Sequence, residues 1–194
     1  MLLRLIEIIL PVRRGERSLT FALFLHSLAA VGAFLTGRTV RDTLFLAYGD
    51  RDMLAWMYVF SALGVTTAGL VYSRLAARVR RDQMAVVSAA LFGGGFLFFW
   101  FAQKTQAPWV YPALYVYVEV MGALVLVQFW TLANELFNAR EAKRLYGLIG
   151  AGGTLANIFI GLLSAAVATR FGAPALLLLC VVLLGLTAAA SLAG

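Results

Sequence analysis

Long apolar runs separated by short polar connections dominate this chain of 194 residues. Each of six runs is long enough to cross a hydrocarbon core of roughly 30 Å, which takes about 20 helical residues. The predicted spans are Ser18–Tyr48, Met53–Val79, Gln83–Gln103, Trp109–Phe137, Leu145–Thr169 and Pro174–Leu192. The first and fourth are the longest, so we expect them to be tilted or to extend beyond the bilayer.

Residues 1–17 form a different kind of segment, in which charged residues interrupt the apolar stretch. Arg4 and Glu7 are three positions apart and share one helical face, with Leu and Ile around the rest. No small-residue cleavage site follows, so the segment does not resemble a signal peptide. The pattern predicts a short amphipathic helix on the membrane surface that ends near Pro11, followed by a transmembrane domain over residues 18–194.

Composition supports an integral membrane protein of the all-α class. Hydrophobic residues make up 62% of the chain and charged residues 13%, whereas a soluble domain has about 45–50% apolar and about 25% charged residues. The single Cys180 excludes an intramolecular disulfide and a multi-cysteine metal site. Cys180 and His26 both lie in apolar runs and are predicted to be packing residues. We expect no cofactor and no metal.

The basic residues between the spans alternate between the two ends of the predicted bundle. One end carries Arg4, Arg13, Arg14, Arg17, Arg74, Arg78, Arg80, Arg81, Arg140, Lys143 and Arg144. The other end has Arg51, Lys104 and Arg170. The positive-inside rule therefore places both termini in the cytoplasm. This distribution explains the net charge of +7, and no aromatic-interleaved patch points to a nucleic-acid partner.

Four charged residues lie well inside the predicted spans, away from their ends, where a charge costs several kcal/mol unless it faces a partner or a watery cavity. Arg38, Arg41 and Asp42 are in the first span and Glu119 is in the fourth. At about 1.5 Å per residue, Arg41 lies roughly 10 Å and Glu119 roughly 15 Å from the same end of the bundle. This similar depth predicts a contact between the two residues, or a shared cavity.

These charges allow structural and functional interpretations. Arg38 and Asp42, four apart, can form a pair that pins the first span to a neighbour, and Arg41 can extend to the headgroups. Alternatively, two arginines on one helical face offer forked donors to phosphate or carboxylate, which indicates an anion pathway. Glu135, Glu141 and Lys143 lie near the connection between the fourth and fifth spans. For these three residues a solvated surface is as good an interpretation as a functional role.

Two glycine-rich patches, Gly93-Gly94-Gly95 and "GLIGAGG" at 147–153, lie inside predicted helices. In a membrane such patches are typical of close helix packing. The second patch has neither the Lys-Ser/Thr ending nor the preceding strand of a phosphate-binding loop, so we do not expect a nucleotide loop there.

Two segments carry a family resemblance. "RTVRDTLFLAYG" at 38–49 resembles the first-helix pattern of the bacterial and plastid ATP/ADP translocases. "VEVMGALVLVQFWTLANELFNAREAKRLYGLIGAGGTLANIFIGLLS" at 118–164 resembles their fourth and fifth helices in order and spacing. The resemblance covers most of the chain, and "VRDTL" with "REAKRLYG" is its most specific part.

The resemblance implies a major-facilitator-like fold of twelve helices in two six-helix halves. This chain would be the N-terminal half, and a second half from the same protein, a homodimer or a partner chain would complete it. Nucleotide, ATP or ADP, would be the substrate, and the lipid bilayer of a bacterial inner membrane the environment. The family's basic first-helix position falls on Arg41, where the family usually has lysine, and its fourth-helix carboxylate falls on Glu119.

The predicted substrate-binding residues are therefore Arg38, Arg41, Glu119 and Asn134. Asp42, Glu135 and Lys143 are predicted to form ion pairs or to gate the pathway. Two alternatives stay open: a non-transporting membrane anchor or sensor module of a larger protein, and a facilitator for another organic anion. An enzyme is not expected, because no nucleophile–base set is apparent.

Overall fold

The computed structural model describes residues 16–76 and 81–193. The predicted amphipathic segment therefore lies outside the described residues, except for Glu16 and Arg17. Six helices follow one another, and they are named α1 to α6 in chain order. They span Arg17–Tyr48, Leu54–Ala76, Arg81–Ala102, Val110–Leu136, Ala139–Phe171 and Ala175–Ala193.

The prediction of an all-α membrane protein is confirmed. Helices α1 to α5 are long and apolar enough to cross a membrane by length and composition. The sixth is equally apolar but shorter, and its 19 residues reach about 28 Å at about 1.5 Å per residue. Each helix begins and ends within a few residues of its predicted span, with one exception.

The exception is the start of α5, which was predicted at Leu145 and lies at Ala139. Asn138 caps this helix: its side-chain oxygen accepts hydrogen bonds from the backbone N–H of Arg140 and of Glu141, both at 3.1 Å. The Glu141 carboxylate in turn accepts from the backbone N–H of Asn138 at 3.0 Å. This reciprocal capping box satisfies N–H groups that a helix start otherwise leaves without partners. Glu141 is thus a capping residue and not simply part of a solvated surface.

Replacing Asn138 with alanine is expected to destabilise the protein by about 1 kcal/mol, because N-cap side chains contribute about that much. The measurement is the free energy of unfolding in mixed micelles, together with hydrogen exchange of the Arg140 and Glu141 amides, which should become faster. Asn157→Ala is the matched control, because Asn157 is an exposed residue within the same helix. Equal stability of the two variants would contradict the capping role.

Helix α1 lies at the centre of the bundle. It packs along α4, α5 and α6, while α3 packs along α6. Helix α2 packs mainly on α4, and α3 touches α4 only lightly. Of the side chains in α2 only those of Met57 and Ser61 are buried. The most enclosed positions in the molecule are therefore on α1 and on the helices that surround it.

Close contact between α1 and α5 depends on glycine at position 152. A Cβ atom there would lie 2.5 Å from the carbonyl oxygen of Phe24, which belongs to the α1 backbone. A buried hydrogen bond of 3.0 Å between the Thr36 and Ser164 hydroxyls joins the same two helices. The packing role predicted for the second glycine patch is confirmed here, but it does not extend to Gly147 and Gly150, where a Cβ would meet nothing within 4 Å.

His26 and Cys180 are packing residues, as predicted. His26 is buried in α1, where its ring stacks on Phe129 with 5.4 Å between centroids. Its Nδ1 atom is 3.0 Å from the Ser191 hydroxyl of α6. Cys180 is fully buried, and its Sγ atom lies 3.7 Å from the Ala33 carbonyl oxygen. Both side chains hold α6 against α1.

Candidate functional site

Arg41 is the largest fully buried side chain of the described residues, with 2% of its surface exposed. Its Nε atom donates to Asp42 Oδ1 at 3.0 Å, and its Nη1 atom donates to Glu119 Oε1 on α4. The guanidinium carbon lies 4.0 Å from the centroid of the Tyr115 ring. Two charge-assisted hydrogen bonds and a cation–π contact thus offset the cost of burying this charge.

Glu119 is shared between two arginines that differ greatly in exposure. The same Oε1 atom that accepts from Arg41 lies 3.9 Å from Arg38 Nε. The Arg38 side chain is 53% exposed and that of Glu119 is 26% exposed. The contact that helical rise predicts between α1 and α4 is present, and Arg38 lies at its accessible edge.

Asp42 pairs with Arg41 and not with Arg38, contrary to the spacing-based expectation. The physical reason is burial: an enclosed guanidinium needs several acceptors, whereas the half-exposed Arg38 can be solvated. Extension of Arg41 to the headgroups is also wrong, because its side chain is enclosed and held by both carboxylates. The cluster contains two arginines and two carboxylates, so its net charge is zero.

A cavity of about 220 Å³ adjoins this cluster. Arg38, Arg41 and Asp42 line it together with two residues that the sequence did not single out, Tyr58 and Tyr115. Tyr115 lies four positions before Glu119 on α4, so the shared helical face was available as a signal. Tyr58 comes from α2, and nothing in its sequence context indicated that it would approach the first helix.

The other predicted residues lie far from this cluster. Asn134 is fifteen residues after Glu119 on the same helix, roughly 22 Å away at about 1.5 Å per residue. Its side-chain oxygen accepts a hydrogen bond of 2.6 Å from the Tyr146 hydroxyl of α5. Glu135 and Lys143 are exposed near the same α4–α5 turn. The structure therefore does not bring Asn134 together with the arginines.

An ion pair between α5 and the start of α1 was not predicted. The Nη2 atom of Arg144 lies 2.7 Å and 2.6 Å from the two carboxylate oxygens of Glu16. From the sequence, Arg144 counted only as a topology signal. The ion pair links the start of α1 to the first turns of α5. It lies at the end of the bundle opposite to the Arg41 cluster. Over residues 16–76 and 81–193, no group of three or more His, Cys, Asp or Glu is arranged to hold a metal ion.

The fold and this cluster define a polytopic all-α membrane protein with an ion pair buried between two of its helices. Comparison with known proteins is more specific. Residues 97–179 match the family described as TLC ATP/ADP transporter, and this stretch contains Glu119. The resemblance to the ATP/ADP translocases that the sequence motifs indicate is thereby confirmed.

Individual relatives are named as ADP,ATP carrier proteins. The chain is 23% identical over 186 residues to ADP,ATP carrier protein 3 of Rickettsia bellii, an alignment that covers 80% of this chain and 37% of the relative. It is 26% identical over 193 residues to ADP,ATP carrier protein 2 of Chlamydia pneumoniae, covering 83% and 36%. A 54-residue stretch is 41% identical to ADP,ATP carrier protein 1 of Chlamydia muridarum, covering 27% and 10%. The chain thus spans little more than a third of the length of the first two relatives. No solved structure matches it.

Proposed function

We propose that this chain is the N-terminal six-helix half of a nucleotide carrier that exchanges ATP for ADP across a bacterial inner membrane. The family match and the names of the relatives support this proposal. Because the chain spans 37% of the Rickettsia bellii relative, a second six-helix half is part of the proposal. The protein transports its substrate and does not transform it chemically.

The observation that carries the proposal is the Arg41–Glu119 contact beside an open cavity. A charge cluster with zero net charge does not by itself attract a polyanion. An incoming phosphate must therefore replace a carboxylate as the partner of an arginine. Glu119 is the carboxylate to be replaced, because it contacts both arginines and comes from a different helix.

The two arginines have different parts in this exchange of partners. Arg38 is half exposed and lines the cavity, so it is the first donor that a phosphate meets. Arg41 becomes available only when Glu119 withdraws. Glu119 joins α4 to both arginines of α1, so a phosphate that takes its place removes this polar link between the two helices. Ligand binding thereby favours one arrangement of the helices over the other, as transport requires.

The cavity size fits part of a nucleotide. About 220 Å³ is below the roughly 300–1,000 Å³ of pockets that enclose a small molecule. The phosphate end of the nucleotide binds at Arg38, and the remainder contacts the second half, since carriers of this architecture bind substrate between repeats.

Residues at the end of the bundle opposite to the Arg41 cluster form the proposed gate of the transport pathway. Asn134 bonds to Tyr146 across the α4–α5 turn, with Glu135 and Lys143 beside it. Arg144 and Glu16 close the same end between α5 and α1. We place this end in the cytoplasm, because most of the basic residues are there.

Replacing Arg38 with glutamine is expected to lower kcat/KM for ATP about 10- to 100-fold without destabilising the protein. A hydrogen bond to a charged group contributes about 1.5–3 kcal/mol, and about 1.4 kcal/mol corresponds to a factor of ten. The measurement is counterflow of labelled ATP into ADP-loaded proteoliposomes of the chain expressed with its second half. Arg170→Gln, an exposed arginine at the end of α5, is the control and should exchange normally. Exchange equal in both variants would contradict the assignment.

The size of the cavity also favours a second candidate, a facilitator for a smaller phosphorylated or carboxylated anion. The same counterflow assay separates the two functions when ATP, ADP, inorganic phosphate and a dicarboxylate are compared as competitors. A nucleotide carrier is inhibited by ATP and ADP at the lowest concentrations. A facilitator for small anions is inhibited by phosphate or by the dicarboxylate at least as strongly as by ATP and ADP.

A further inference from the structure

A second and larger cavity lies on the other side of the bundle. This groove has α2 and α3 as its walls and α4 as its floor, and its volume is about 610 Å³. Among the described residues its lining is almost wholly apolar and contains no charged side chain; Leu63, Val71 and Leu91 are among its most exposed residues. It exists because α3 touches α4 only lightly, whereas α2 packs closely on α4.

The groove extends over one leaflet of a bilayer. Its α2 wall runs from Leu63 to Leu75, twelve residues or roughly 18 Å at about 1.5 Å per residue. Half of a hydrocarbon core of roughly 30 Å is about 15 Å. The groove closes near Gly64, where a Cβ atom would lie 2.9 Å from Val116 Cγ1 of α4. A membrane-crossing helix would need a groove about twice as long, so the length matches an acyl chain.

The end of the groove near the α2–α3 connection is basic. Arg74, an exposed residue in the last turn of α2, comes seven residues after Thr67 of the lining and therefore shares its helical face. Arg74 thus extends the α2 wall at the depth where lipid headgroups begin, and this is charge complementarity for an anionic headgroup.

We propose that this groove binds a phospholipid with an anionic headgroup. One acyl chain lies along the apolar face between Leu63 and Leu75, and the phosphate lies at Arg74. The site shares no residue with the Arg41 cluster, so the proposal does not depend on nucleotide exchange.

The test compares binding of phosphatidylglycerol and phosphatidylcholine to the purified chain, by native mass spectrometry and by the shift in melting temperature. We expect phosphatidylglycerol to bind roughly fivefold more tightly, as one arginine near a headgroup contributes. Arg74→Gln should abolish this preference. Arg140→Gln should keep it, because Arg140 is an exposed arginine at the same end of the bundle but outside the groove. Leu91→Trp, which fills the groove, should weaken binding of both lipids.

Several results would overturn the proposal. Equal binding of the two lipids to the wild type would show that the groove does not select an anionic headgroup. Loss of the preference in Arg74→Gln and Arg140→Gln alike would show that general surface charge is responsible. Equal competition by inorganic phosphate would show that the acyl chain contributes nothing. A protein helix in the groove would appear as cross-linking of two chains from position 91, with no effect of lipid.

Discussion

Replacing Arg41 with alanine is expected to abolish nucleotide exchange and to lower the free energy of unfolding by about 3 kcal/mol. Removing one partner of a buried ion pair costs roughly 3–5 kcal/mol, because the remaining charge has lost its compensation. The lower figure applies because 26% of the Glu119 side chain is exposed. The measurements are unfolding in mixed micelles and counterflow of labelled ATP in proteoliposomes with the second half present.

Two further variants separate stability from transport. Arg41→Ala combined with Glu119→Gln should recover part of the lost stability, because one of the two carboxylates that lost Arg41 is then neutral, but exchange should stay absent. Arg41→Lys keeps a positive charge at this position. A single ammonium lacks the planar fork that contacts Asp42 and Glu119 together, so we expect partial stability and partial exchange. Wild-type stability of Arg41→Ala would refute the structural role of the pair.

Replacing Gly152 with alanine is expected to destabilise the protein by about 1–3 kcal/mol, the usual cost of adding a methyl group to a packed interior. The added Cβ would lie 2.5 Å from the Phe24 carbonyl oxygen. This oxygen belongs to the backbone of α1, so the contact is relieved only if the two helices separate. The same two helices are also joined by the Thr36–Ser164 hydrogen bond of 3.0 Å, which lies twelve residues further along each helix.

Gly150→Ala in the same helix is the matched control, with an effect of opposite sign. A Cβ at Gly150 meets nothing within 4 Å, and alanine is favoured over glycine inside a helix by roughly 0.5–1 kcal/mol. Unfolding of both variants in mixed micelles measures the difference directly. If the two substitutions change stability in the same direction, the close approach of α1 and α5 at Gly152 is not a packing constraint.

The helices and their order were predictable because the signals are local. An apolar run of about 20 residues identifies a span without knowledge of its neighbours. The start of α5 was missed although Asn138 and Glu141 have the spacing of a capping box. The charges of "NAREAKR" at 138–144 are dense enough to resemble a connection, whereas they form the first turns of a helix.

The Arg41–Glu119 contact was predictable because depth in a stiff helix follows from counting residues. The choice of partner was not: whether Asp42 binds Arg38 or Arg41 depends on which guanidinium the surrounding helices enclose. The approach of Tyr58 depends on how α2 is placed against α1, which no local pattern encodes. Counting residues would also have shown that Asn134 does not belong to the site. It lies fifteen residues after Glu119 on α4, a distance beyond the reach of any side chain.

The zero net charge of the Arg41 cluster also has a consequence for how the chain enters a membrane. When α1 emerges from the ribosome, Arg38, Arg41 and Asp42 together carry one excess positive charge. Glu119, which balances it, is 78 residues further along the chain from Arg41. At about 5–20 residues per second, translation needs roughly 4–16 s to deliver it. During this interval the charged turn of α1 lacks the carboxylate that compensates it in the folded protein.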